Sequence, residues 1–191
     1  MARDIFQERE RAEEAAYFHR EDAQLIEKLR RHAQLSEIAH ALAEKLHADE
    51  PALLERIKKL GVTLDTGAAF ILAPLVEVAW ADGDVSQAER TTVLQIAHRR
   101  GVMPGSPDHR QLLDWLDNRP PDEVLRTALE AIRIGISVLP PDESAERIST
   151  MIKACEEVAN AAGGLSRLLH LEGITREEGA VIAAIRSYLA K

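Results

Sequence analysis

The sequence predicts an all-α protein, and three observations predict it. No segment alternates apolar and polar residues in the manner of a half-buried strand. Apolar residues return instead at spacings of three and four over long stretches. Pro, Gly and S-x-x-E signals stand where such stretches begin and end, which is the punctuation of helices joined by short turns.

Composition narrows the function. With 191 residues the chain accommodates one ordinary domain plus an appendage and buries about two thirds of its unfolded surface. Aromatic residues make up 4%, so the core has to be aliphatic. A formal charge of -8 without any Lys/Arg stripe argues against nucleic acid or an anionic membrane as the main partner. The lone cysteine, Cys155, excludes an internal disulfide and suits a reducing compartment. The longest apolar run, residues 67–76, is ended by Glu77, well short of the ~18 residues of a membrane span. The opening MARDIFQERERAEE has no apolar signal region and is rich in acids, so a cytoplasmic location is expected.

In chain order, residues 4–47 contain neither Gly nor Pro and are mostly strong helix formers, which predicts a long helix or helix pair. Leu25, Ile26, Leu29, Ile38, Ala39, Leu42 and Leu46 form an apolar stripe, whereas residues 1–20 offer only Ile5, Phe6, Tyr17 and Phe18 as large apolar groups. Residues 1–48 are therefore expected to be a projecting charged helix that is solvated or awaits a partner. Residues 49–62 read as a short helix and hinge, with Pro51 near its start and Gly61 after its end. Thr63 or Thr66 opens the apolar segment of Phe70, Leu72, Leu75, Val76 and Ala79, the expected central helix, with Pro74 kinking it or lying near its start. Further helices are predicted over residues 87–100, around Leu112 to Leu116, over 122–139, over 144–161 and over 176–189.

Two of these units match each other. The E-V-A-x-A-x-G of residues 77–83 returns at residues 157–163, and the segment 85–89 returns at 174–178. Ile182 and Ile185 then take the places of Val93 and Ile96. Ser86 with Glu89, and Thr175 with Glu178, have the spacing of a capping box. The A-D-G-x-V-S-x-x-E turn between apolar helices resembles the TerB-like family, whose tellurite-resistance and DjlA-type members are all-helical domains built from a pair of such repeats. The resemblance covers residues 63–191. It implies a stress-response scaffold with metal-ion binding at the acidic turn.

A second resemblance lies at the start of the chain. Phe6, Arg9, Glu10, Ala12, Glu13, Glu14, Tyr17 and Phe18 reproduce the F-x-x-R-E-x-A-E-E-x-x-Y-F pattern of the mitochondrial F1-ATPase inhibitor protein, and residues 29–32 fall on its L-K-K-H segment. That resemblance implies that Phe6, Arg9, Glu10, Glu13, Glu14, Tyr17 and Phe18 contact the F1 sector and block ATP hydrolysis, with His32 as a pH sensor. Ala33 stands where the family commonly has another histidine, and a helical domain replaces its coiled-coil tail. Read from the residues alone, the same segment is an exposed helix laced with i,i+4 ion pairs, or a docking or dimerisation arm, which leaves self-association open.

The sharpest site expectation is one divalent, calcium-like cation on Asp82, Asp84, Ser86 and Glu89, whose spacing can converge several oxygens. The competing reading uses the same residues as helix ends, with Asp82 and Gly83 closing one helix and Ser86 and Glu89 capping the next. Ala162 and Gly164 replace the two aspartates in the second copy, so any such site is expected once. Catalysis is not expected: the histidines are scattered, and no metalloprotease, nucleophile-elbow or phosphate-loop motif occurs. Cys155, beside Ile152 and Val158 at helical spacing, reads as a small core residue.

Overall fold

A computed structural model describes residues 44, 46, 48–162 and 174–191. The expectations placed on residues 1–43 and on the insertion 165–173 lie outside these. Every regular element among the described residues is helical, and they form one multi-helix bundle.

Pro51–Lys59 is α1, begun by Pro51 and followed by Gly61 in the left-handed conformation at φ 77°. A 3-10 turn, Leu64–Thr66, follows, with Thr63 and Thr66 capping each other reciprocally. The apolar segment then divides into α2, Gly67–Ile71, and α3, Ala73–Ala79. Pro74 sits in the first turn of α3, and the break falls at Leu72, because the Pro74 nitrogen has no hydrogen to donate to the Phe70 carbonyl. Beyond the turn come α4, Gln87–Arg99, and α5, Pro107–Asp117. They are followed by α6, Asp122–Ser137, α7, Pro141–Ala162, and α8, Arg176–Leu189.

Helix α3 lies at the centre. All of its residues except Glu77 are buried, and it touches α2, α4, α5, α6, α7 and α8. A helix that is apolar all round has no face to offer water and must be enclosed on every side. Its two main walls are α7, which also packs on α4 and α8, and α6, which reaches back to α1. The core is aliphatic, as the composition requires. Leu72, Leu75, Val76, Val93, Leu112, Val158 and Ile185 are all essentially inaccessible.

Two side chains tie distant elements to this core. Asp108, buried in the first turn of α5, accepts a hydrogen bond from the Ala69 amide at 2.9 Å and so satisfies a free N–H at the start of α2. Trp80 donates its indole N–H to the Trp115 carbonyl at 2.8 Å, pinning the end of α3 to the end of α5. Leu46 is also part of the core. Replacing Asp108 by Ala should lower the unfolding free energy by about 1–3 kcal/mol, because a buried amide loses its acceptor. Asn should retain most of the stability; urea denaturation of the two variants checks both outcomes.

Candidate functional site

The acidic turn between α3 and α4 is built by helix termination and helix initiation. After Trp80 the chain turns through Gly83, whose φ of 98° is open to glycine without strain. The Gly83 amide donates to the Trp80 carbonyl at 3.0 Å. Asp82 then turns back on itself, its Oδ1 accepting from the Asp84 amide at 3.3 Å. Ser86 adopts an extended N-cap conformation and accepts from the Glu89 amide at 3.2 Å, while Glu89 Oε2 accepts from the Ser86 amide at 2.8 Å.

This geometry overturns the expected cation. Asp82 and Asp84 are exposed, whereas Ser86 and Glu89 turn inward to satisfy each other's backbone amides. The four side chains therefore do not converge. Among the described residues no group of three or more His, Cys, Asp or Glu is placed to hold a metal ion. The capping function won because it satisfies two amides that the helix start would otherwise leave unpaired.

The second copy repeats the cap. Thr175 accepts from the Glu178 amide, and Glu178 Oε2 accepts from the Thr175 amide. Glu89 and Glu178 are 1% and 0% exposed, and each leaves its Oε1 buried with no hydrogen-bond partner. Burial pushes the Glu89 carboxyl above the usual carboxylate range, against the pull of its two bonds to Ser86, and the charges of Glu178 and Asp82 push it the same way. Glu77, the single carboxylate on the central helix, is likewise raised by burial, which the nearby Arg119 offsets in part. The spacing of the capping boxes was legible in the sequence; that both glutamates would be fully enclosed was not.

Other expected positions fall as follows. Cys155 is fully buried, and desolvation pushes its thiol up to about 12, so it is held protonated and inert. Phe6, Arg9, Glu10, Glu13, Glu14, Tyr17, Phe18 and His32 lie outside the described residues. Close to where the N-terminal segment enters the bundle is an apolar groove of about 380 Å³, bounded by Leu46, Ile57, Val62 and Phe70, with the exposed Leu64 at its lip. Among the described residues, no helix is long and apolar enough to cross a membrane. Comparison with family models, with curated proteins and with solved structures finds no match to the chain.

Because the folded Glu89 carboxyl lies above its ordinary value of 4.5, the folded state holds that proton more tightly than the unfolded state. Its contribution is present below the ordinary value and is lost as pH rises through the raised one. Gln at position 89 keeps the acceptor for the Ser86 amide without the charge. The melting temperature of Glu89→Gln should exceed that of the parent at pH 7 and converge with it near pH 4.5, whereas Glu89→Ala should lose about 1 kcal/mol near the lower pH through loss of the cap and less at pH 7. For Cys155, iodoacetamide at pH 8 should leave the folded chain unmodified and alkylate it fully in denaturant, as mass spectrometry would show.

Proposed function

We propose that the chain is a non-catalytic regulatory protein that acts by binding another protein through its N-terminal segment. The F1 sector of an ATPase is the partner, and the helical bundle is the anchor. The pattern of residues 6–18 carries this reading. Tyr17 and Phe18 on an otherwise charged stretch call for burial against a partner, and buried aromatics are the groups that dominate such interfaces. The enclosure of Leu46 in the core supports it by giving the segment a fixed root.

For residues 63–191 the reading is a TerB-like pair of helix-turn-helix repeats. The two capping boxes support it, as do the matched burial of Val93 with Ile182 and of Ile96 with Ile185. The same match favours a second reading, a stress-response scaffold in which the N-terminal segment is a docking or dimerisation arm.

ATP hydrolysis by isolated F1, at mildly acidic and mildly alkaline pH, separates the two. Full-length chain should inhibit hydrolysis and not synthesis, more strongly at the acidic pH. The Tyr17→Ala/Phe18→Ala double variant should weaken inhibition by roughly tenfold or more, and His32→Gln should flatten the pH dependence. Point substitutions are preferable to deleting the segment, since a cut beyond Leu46 would remove part of the core. No inhibition at saturating protein would refute the inhibitor reading for that F1 and leave the scaffold.

A further inference from the structure

The chain carries a formal charge of -8, yet cations gather at one seam of the bundle. The end of α4 contributes Arg99 and Arg100. The face of α7 opposite them contributes Thr150, Lys153 and Glu157, whose spacings of three and four place them on one stripe. Between the helices is a pocket of about 250 Å³ whose apolar floor includes Ile96. Arg147, one turn before Thr150 on α7, stands near enough for its charge to act on Arg100.

The hydrogen bonding within this cluster is uneven. Arg99 donates through Nη2 to both carboxylate oxygens of Glu157 at 2.7 Å, so the one acid lining the pocket is paired with Arg99. Arg100 is half-buried, and among the described residues its one side-chain bond is a 3.5 Å contact from Nη2 to the Thr150 carbonyl. A guanidinium has five N–H donors, and a contact of that length is at the limit of a hydrogen bond. Burial pulls the Arg100 pKa down; Cys155 and Glu157 act against that pull, and the like charges of Arg99 and Arg147 add to it. Within the described residues no ion pair forms at Arg147 or Lys153. Cations in the last turn of α4 complement its dipole. The dipole, however, accounts for neither the two α7 cations nor a guanidinium held half-buried beside a cavity.

We propose that the α4–α7 seam is a binding pocket for a single phosphate-type oxyanion, gripped by Arg100 and Lys153 and favoured by the charge of Arg147. The planar fork of Arg100 matches two phosphate oxygens, and the ammonium of Lys153 acts as a point charge from the facing helix. Arg99 and Glu157 form one wall as a closed pair. At about 250 Å³ the pocket holds a phosphate and a few attached atoms rather than a whole nucleotide cofactor. The phosphate comes either as a free small ion or on a phosphorylated side chain. This proposal is independent of the inhibitor reading.

The test is titration of the full-length, isotope-labelled chain with inorganic phosphate, against sodium chloride at matched ionic strength, followed by amide chemical shifts. Saturable shifts should centre on residues 99–101 and 150–157. Lys153→Glu, at an exposed position, should weaken binding by roughly tenfold or more, the loss expected for one charge-assisted contact. Arg100→Gln should abolish saturation, and the exposed Lys153 variant decides the matter should the Arg100 variant fail to fold. A phosphoserine peptide binding at least about tenfold tighter than phosphate identifies a protein-borne group; equal affinity identifies a free small ligand. If chloride shifts the same amides as strongly, or phosphate affinity survives Lys153→Glu, there is no such pocket.

Discussion

The bundle depends on the enclosure of α3. Apart from Glu77, that helix presents no polar side chain on any face, so it cannot lie at a surface, and the other helices have to be arranged around it. Pro74 adds a geometric condition. Because its nitrogen has no hydrogen to donate, α2 and α3 cannot run as one straight rod, and the bend at Leu72 places α2 against α5 while α3 faces α6, α7 and α8. The first turn of α2 has amides without a helical acceptor. Asp108 meets one of them from a helix that is remote in sequence.

A second constraint explains why residues that resemble ligands are not a site. An acidic turn flanked by helices has two competing uses for its oxygens. In one they point outward and surround an ion; in the other they point inward and satisfy the amides at the next helix start. Ser86 and Glu89 take the second course, and Thr175 and Glu178 do so with the same bonds although no aspartate precedes them. The pair in the second copy is informative because a cation explanation never applied to it. Since the cap forms there without Asp82 and Asp84, those aspartates are not needed to account for the cap in the first copy.

The parts legible in the sequence are those governed by neighbours along the chain. The existence and type of the helices, the capping boxes and the centrality of the 70–79 segment all follow from spacings of three and four or from a Pro or Gly at a fixed offset. Boundaries were less legible where a proline could be read two ways. Residues 140–141 look like a full stop, yet Pro141 is the first residue of α7, where a missing N–H costs nothing. Ser106 and Pro107 look like loop and instead begin α5, Ser106 accepting from the His109 amide. The bond from Ala69 to Asp108 and the cluster of Arg100 with Thr150 and Lys153 are invisible to any local pattern. Each is created by packing elements that are far apart in the chain.

The α4–α7 seam also determines how an anion there would act on the rest of the molecule. Arg100 caps the end of one helix and Lys153 lies midway along another, so the proposed oxyanion pocket exists only when the two are packed. A ligand that binds only the packed state stabilises it by RT ln(1 + [L]/Kd). Helix α7 also supports α3 and α8, so that stabilisation reaches the central helix and the second capping box. The residues that carry the partner-binding reading, Tyr17 and Phe18, belong to a different part of the sequence. Occupancy of the seam would therefore alter how firmly the bundle is held. The proposed oxyanion site and the proposed partner binding would then be coupled through the stability of the bundle.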